Sequence, residues 1–306
     1  MSKAVALAVL ASLCTATSSV CQRIGASTAP TGEKFTLKLL VYLVRHPMWL
    51  VGVASLLLGF AFQVAALHFG GLALVQPIFA SELLFVFGYM ALMGRKDLVA
   101  RDWMAAVAMA AGLSVFLLAA APSGGRVHPP AAFWWLAGIS ALGLAAVVTA
   151  VAYLPLHRGS LPSPARKAAI IGIATGISWG FVAAVIKEMS THQSVLSALS
   201  SWTPYVLIGV GAVSMLLASH ALQAGPLAAS QPGFTIVDPL VATLLGVFVF
   251  SEHLQLQPFD VVLEILSLAA LVWGVITLSH SQLIQGEDEI GAAHEPPVNI
   301  KLNLDV

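Results

Sequence analysis

Two acidic residues lie deep within apolar stretches of the sequence and are the strongest candidates for chemistry. Glu82 lies eleven residues after Gly71 and Asp238 twelve residues after Pro226, which is about 16 Å and about 18 Å along a helix. Both positions are near the middle of a hydrocarbon core about 30 Å thick, where an acid is costly and is a functional candidate by default. Two carboxylates at one site share a proton, so the pair suits proton coupling or cation binding. The structural alternative is that each acid is neutral and hydrogen-bonded to a neighbouring helix.

Prolines and polar side chains recur near the two acids. A proline removes a backbone donor and interrupts a helix, and a glutamine beside the break would satisfy a freed carbonyl or bind a solute. The expected helix breaks are at Pro77, Pro232 and Pro239. The further candidates for a solute-binding or ion-binding cavity are Gln76, Gln231, Gln63, His220 and Gln223.

Known catalytic motifs do not occur in the sequence. There is no Gly-x-Ser-x-Gly, no His-Glu-x-x-His and no phosphate-binding loop, so we expect neither enzyme activity nor a cofactor. If a cation is transported, Glu82 and Asp238 would be its ligands, since carboxylate oxygens suit a hard, hydrated ion. The two cysteines, Cys14 and Cys21, are two helical turns apart on one face, too far for a disulfide.

The composition indicates that most of the chain is surrounded by lipid. Of its 306 residues 58% are hydrophobic and only 9% are charged, and the mean hydropathy is +0.91. Soluble domains carry about 25% charged residues, so a water-soluble fold is excluded. Fourteen basic residues balance fourteen acidic ones, which gives no electrostatic basis for binding nucleic acid.

Nine apolar segments are each long enough to cross a bilayer as a helix. They lack the alternation of a membrane β-barrel, so the predicted fold class is an all-α polytopic membrane protein. The first segment is expected to be a membrane helix and not a signal peptide. The segments cover roughly residues 4–22, 48–69, 71–93, 103–121, 132–154, 168–187, 203–224, 226–250 and 260–280.

The sequence contains an internal repeat. The pattern Leu-Ala-x-x-Gln-Pro occurs at 72–77 and again 155 residues later at 227–232, and residues 47–52 resemble residues 204–209. The pattern opens the third and the eighth spans, which are five places apart. An odd offset reverses the direction of crossing, so the two halves are expected to cross the membrane in opposite directions. Inverted repeats are typical of secondary transporters, whose sites lie between the halves.

The repeat divides the chain into four parts. The first repeat of four helices covers 1–121, a linking helix and Pro-rich linker 122–166, the inverted second repeat 167–280, and a disordered acidic tail 281–306. A short basic amphipathic helix is expected at 35–44. One side of the membrane receives eleven Lys and Arg residues and the other three. The positive-inside rule therefore predicts a multi-pass protein of the cell membrane with its N-terminus outside and its C-terminus cytoplasmic.

Three further motifs are the x-Pro-x-Trp at 46–49, the Ala-Leu-x-x-Gly-x-Leu-Ala-x-x-Gln-Pro at 66–77 and the Phe-Ser-Glu at 250–252. Together they resemble the drug/metabolite transporter superfamily, in its EamA-like and NIPA-type magnesium transporter branches. The resemblance implies a bundle of two inverted repeats, with nine helices in NIPA-like members. Residues 60–63 lack the Gly-Glu and Asn of the NIPA pattern, which weakens an assignment to magnesium.

We therefore expect a secondary transporter of a small solute that works by alternating access with ion coupling. The alternatives are a NIPA-type transporter of Mg²⁺ or another divalent cation, and a structural or lipid-interacting protein without transport. The expected partners are the lipid bilayer and a small-molecule or cation substrate, and pairing of two copies in a homodimer stays open.

Overall fold

The computed structural model describes residues 2–27, 45–93, 99–121, 123–154, 163–192, 194–225, 227–254 and 257–279. These residues form helices and a single β-bridge between Ser123 and His253. The helices are α1 Ser2–Ser27, α2 Pro47–Phe69, α3 Leu72–Phe79, α4 Glu82–Leu92, α5 Ala100–Ala120, α6 Ala131–Val151, α7 Pro164–Ser190, α8 Val195–Ser200, α9 Thr203–Ala224, α10 Leu227–Pro232, α11 Asp238–Phe248 and α12 Pro258–Ser279, with a π-helical turn Gly233–Val237 between α10 and α11.

Nine segments of the described chain are long and apolar enough to cross a membrane. This confirms the nine segments that the sequence predicts and the all-helical polytopic class. Seven of the nine are single helices. The other two are interrupted, because α3 and α4 together make one segment, and α10, the π-helical turn and α11 make another.

Helix α7 is the central element of the bundle. Most of its residues are buried, whereas few residues of α6 and α9 are buried. It contacts α6, α9, α10, the π-helical turn and α11. Glycine allows this close packing, since a Cβ atom on Gly172 would lie 2.6 Å from the carbonyl oxygen of Ser230 and one on Gly180 would lie 2.8 Å from Val241.

The bundle has two ends, which we name after a residue at each. At one end, here called the Glu252 end, α2 turns into α3 and the segment 123–127 meets the segment after α11. The other end, here called the Lys167 end, contains the start of α7 and the last residues of α6 and α9. The predicted helix at 35–44, most of the Pro-rich linker and the predicted tail at 281–306 lie outside the described residues.

Candidate functional site

Glu82 and Asp238 line one cavity of about 540 Å³, here called the carboxylate cavity. Its wall is made by residues of α1, α3, α4, α7, α9, α10, the π-helical turn and α11. The polar residues in the wall besides the two acids are Ser19, Gln231 and Thr235. The two predicted acids thus share one space, although they belong to separate membrane segments.

The interruption between α3 and α4 places Glu82 in this wall. Helix α3 ends two residues after Pro77, and a tight turn follows in which the N–H of Ser81 donates to the carbonyl of Ile78 at 2.9 Å. Helix α1 holds this turn, since the hydroxyl of Ser12 donates to the same carbonyl at 3.2 Å. Two helical turns further along α1, the hydroxyl of Ser19 donates to Oε1 of Glu82 at 3.1 Å. Helix α1 therefore fixes both the break and the carboxylate.

The second interruption places Asp238. Helix α10 ends at Pro232, the chain continues as the π-helical turn, and Asp238 begins α11 with Pro239 in its first turn. Wide turns of this kind occur often at functional sites. Oδ1 of Asp238 is buried and accepts no hydrogen bond from the described residues. The carboxyl of Asp238 also lies within range of electrostatic repulsion from Glu82, so the pair favours a positive charge between them.

Aromatic rings form the apolar part of the carboxylate cavity. The rings of Trp179 and Phe234 contact each other with their centroids 5.3 Å apart, and both line the cavity together with Phe79. Aromatic faces attract cations. Two carboxylates beside aromatic rings suit a small solute that carries both a positive charge and apolar surface.

The structure brings only some of the other predicted polar residues to this cavity. Gln231 lines it. Gln76 is fully buried within α3, and no described residue bonds its Nε2 atom. Gln63 is half-buried on α2, outside the cavity wall, while His220 and Gln223 are exposed on α9. The cavity-facing residue of that turn is Leu222, because positions 220 and 223 point away from the helix face that carries 222.

No group of three or more His, Cys, Asp or Glu side chains close enough to hold a metal occurs among the described residues. Within that part of the chain, Glu82 and Asp238 supply two carboxylates and no third acidic, imidazole or thiol ligand. A cation bound there would therefore keep much of its own hydration or meet other oxygen atoms of the wall.

A second cavity of about 430 Å³ lies at the Glu252 end. Glu252 is buried there and caps α3, because the N–H of Leu72 donates to Oε1 at 2.5 Å and the N–H of Ala73 donates to Oε2 at 2.7 Å. These are two of the four N–H groups that a helix start leaves without intrahelical partners. Burial raises the pKa of Glu252, although these two N–H groups and the charge of Lys187 act in the opposite direction.

Lys187 holds the other side of the same connection. Its ammonium group donates to the carbonyl of Leu67 and, at 2.6 Å, to that of Gly70, so it caps the end of α2. The bridge between Ser123 and His253 and the 2.5 Å bond from the N–H of Arg126 to the carbonyl of Phe250 close the rim. Residues of the second half of the chain therefore hold the connection between α2 and α3 in the first half.

A buried layer separates the two cavities. Val75 and Ile78 of α3 pack in one cluster with Leu245 of α11 and with Val249 and Phe250, which follow it. Each of these side chains is less than a tenth exposed. Helix α1 begins at the Glu252 end, since a Cβ atom on Gly70 would lie 2.7 Å from the Cβ atom of Ala4. The carboxylate cavity is displaced toward the Lys167 end, because Ser19 lies in the second half of α1 and Leu222 lies two residues before the end of α9.

Sequence reasoning did not find the Glu252 cavity or the aromatic part of the carboxylate cavity. Lys187 and Glu252 are visible in the sequence only as charges at the ends of apolar segments, and nothing in their spacing pairs them with residues 67–73. A sequence feature that could have indicated the Glu252 cavity is the pair of glycines at 124 and 125. Both have positive φ angles, of 72° and 113°, and they allow the chain to pass close to His253 and Glu252.

Comparison with known proteins gives one informative match. The chain is similar to an uncharacterized protein of Corynebacterium glutamicum, with 27% identity over 241 residues that cover 77% of this chain and 80% of the relative. No family model matches the sequence, and no solved structure matches it. The relative's name states no activity, so the chemistry of the site is inferred from its own residues.

Proposed function

We propose that the protein is a secondary transporter of a small, positively charged organic solute, which binds between Glu82 and Asp238. One observation supports this function above all: two acids from separate interrupted segments line one cavity, where Asp238 has an unpaired buried oxygen. Acidic side chains within a membrane cost free energy, and a bound cation would offset that cost.

Alternating access is the mechanism we propose for this solute. The buried layer closes the carboxylate cavity toward the Glu252 end, while the cavity is displaced toward the Lys167 end. Release of the α2–α3 connection by Glu252 and Lys187 would open the opposite path. The third spanning segment packs on the eighth through α3 and α11, and the fourth packs on the ninth through α5 and α12. These are the pairs of segments that the sequence repeat makes equivalent. An inverted repeat in the manner of the drug/metabolite transporter superfamily would allow the halves to rock about these contacts.

The orientation in the membrane decides which side of the membrane the described conformation faces. We propose that the Lys167 end is cytoplasmic in the cell membrane, since the positive-inside rule places the N-terminus outside and the C-terminus inside. The conformation described here would then be closed toward the outside, with the carboxylate cavity nearer the cytoplasm.

A divalent cation such as Mg²⁺ is the second candidate substrate, favoured by the paired carboxylates. Mg²⁺ keeps several waters and is usually held by one or two carboxylates, which the two acids can supply. The aromatic rings of Trp179 and Phe234 favour the organic cation, since a hydrated metal ion gains little from apolar contact.

The test compares an organic cation with its neutral isostere and with a divalent metal ion. Purified protein would be melted with choline, with its neutral isostere 3,3-dimethyl-1-butanol, and with Mg²⁺, because a ligand that binds the native state raises its melting temperature. We expect choline to stabilise the protein and the neutral isostere to have no effect. Stabilisation by Mg²⁺ alone would favour the divalent cation, and an absence of stabilisation by either cation would favour a protein without transport.

Variants of the two acids test where choline binds. Glu82→Gln and Asp238→Asn should each abolish the stabilisation by choline while leaving a folded, monodisperse protein. Glu264→Gln is the matched control, since Glu264 is an acid of the spanning helix α12 outside the cavity wall. Equal loss of the response in all three variants would contradict a site at the two acids.

A further inference from the structure

A third cavity, of about 590 Å³, is a groove between α6, α7 and α9. We call it the lipid-facing groove. Its lining is aliphatic apart from Tyr153 and the hydroxyls of Thr149 and Ser178. Both hydroxyls donate to backbone carbonyls one turn earlier in their own helices, at 2.7 Å and 2.9 Å. Apart from the Tyr153 hydroxyl, the groove therefore offers an apolar surface.

The groove opens toward the bilayer. Few residues are buried in helices α6 and α9, which form its two sides. Large apolar side chains next to the groove, such as Leu144, Val147 and Leu216, are more than half exposed. In a membrane this surface is in contact with acyl chains.

The length of the groove matches one leaflet. Along α6 its wall extends from Leu142 to Tyr153, eleven residues and thus about 16 Å. Half of a hydrocarbon core about 30 Å thick is about 15 Å. One acyl chain of the leaflet at the Lys167 end fits this depth.

Two cations stand at the end of the groove. The ammonium nitrogen of Lys167 lies 4.2 Å from the ring centroid of Tyr153, which is itself part of the wall. Nη1 of Arg166 donates to the carbonyl of Leu154 at 3.0 Å. Both residues belong to the first turn of α7, which contains no acidic residue, so the positive charge is not offset within that turn.

We propose that the groove binds one acyl chain of an anionic phospholipid whose phosphate is bound by Arg166 and Lys167. Basic residues at the membrane surface between spanning helices are a known mode of binding to lipid headgroups. The charge at the mouth of the groove selects an anionic lipid over a neutral one. It also argues against a second copy of the chain, whose equivalent face would bring the same two cations together.

The first experiment tests the headgroup. Protein in a neutral detergent would be titrated with phosphatidylglycerol, phosphatidylcholine and glycerol phosphate, with bound lipid counted by native mass spectrometry. We expect one tightly bound phosphatidylglycerol, weaker binding of phosphatidylcholine and no displacement by glycerol phosphate. Arg166→Gln together with Lys167→Gln should weaken binding of phosphatidylglycerol about thirtyfold, at about fivefold per cation. Lys3→Gln is the matched control, because Lys3 also stands over a ring, that of Phe69, at the Glu252 end.

The second experiment tests the acyl chain. Gly209 lies in the groove wall, and a Cβ atom there would meet no atom within 4 Å, so Gly209→Leu would add apolar bulk at this wall. This variant should bind phosphatidylglycerol at least tenfold more weakly. Gly211→Leu has the same free space on the same helix but lies outside the groove wall, and should bind the lipid as the wild type does.

Each opposite result overturns the proposal. Equal binding of the two lipids, or full binding by the Arg166 and Lys167 double variant, would exclude the headgroup site. Full competition by glycerol phosphate would leave an anion site without an acyl chain. Normal lipid binding by Gly209→Leu would exclude the groove, and a dimer that only Gly209→Leu dissociates would assign this face to a second copy.

Discussion

Glu82 and Asp238 lie 156 residues apart in the sequence, yet both side chains line one cavity and each begins a helix just after an interruption. The tight turn before Glu82 and the π-helical turn before Asp238 use different backbone geometries. Each of the two turns places an acid from the middle of a spanning segment in the wall of the same cavity. This relationship underlies the proposed transport of a cation.

Lys187 should be important for stability. Replacing Lys187 by Met leaves the carbonyls of Leu67 and Gly70 without their donor and removes a positive charge near Glu252. Because buried groups are left unpaired, we expect a loss of about 3 kcal/mol in the free energy of unfolding. The measurement is reversible unfolding in mixed micelles. Lys3→Met, which loses only a contact with the Phe69 ring, should change stability by less than about 0.5 kcal/mol, and a similar loss in both variants would contradict this role.

Glu252 should make stability depend on pH. Burial raises its pKa above the ordinary value of 4.5, so the folded protein holds this proton at pH values where the unfolded chain has lost it. The stability contributed in this way is complete below pH 4.5 and is lost as the pH rises through the folded-state pKa. Melting temperatures of the wild type and Glu252→Gln would be compared across this range. As the pH rises, we expect the melting temperature of Glu252→Gln to increase relative to that of the wild type. A decrease relative to the wild type would refute the raised pKa of Glu252.

Gly172 should tolerate no side chain. A Cβ atom there would lie 2.6 Å from the carbonyl oxygen of Ser230, which would push α10 and the cavity residue Gln231 away from α7. We expect Gly172→Ala to cost about 1–3 kcal/mol and to weaken binding of choline. Gly143→Ala on α6 is the control, since its Cβ atom would meet nothing within 4 Å and alanine favours a helix by up to about 1 kcal/mol. Equal effects of the two substitutions on the melting temperature would rule out the close contact.

The sequence predicted the class of fold and the two acids for clear physical reasons. Nine long apolar segments have few folds available in lipid. An acid within such a segment is rare enough to stand out, and the near-equal repeat shift of Glu82 and Asp238 linked the two. The proline positions also indicated where the two segments are interrupted, although a π-helical turn in 233–237 cannot be told from an ordinary break by composition.

The direction of the other polar side chains could not be predicted. Helix α9 is apolar on every side, so its composition does not reveal which face meets the bundle, and His220 and Gln223 are exposed while Leu222 lines the cavity. Gln76 and Gln231 occupy equivalent repeat positions but have different surroundings. The first lies inside the buried layer of α3, and the second lies just before the π-helical turn that rotates the chain toward the cavity.

Cross-linking of the two acidic positions tests the central relationship most directly. In a background with Cys14 and Cys21 replaced by Ala, Glu82→Cys and Asp238→Cys would be combined and treated with a short bifunctional thiol reagent. A water-soluble thiol reagent would report access to each position, and Asp238→Cys with Glu264→Cys would be the control pair. We predict a cross-link in the first pair and none in the control pair. Failure of the first pair to cross-link, while each thiol reacts singly, would contradict a shared cavity and the transport function based on it.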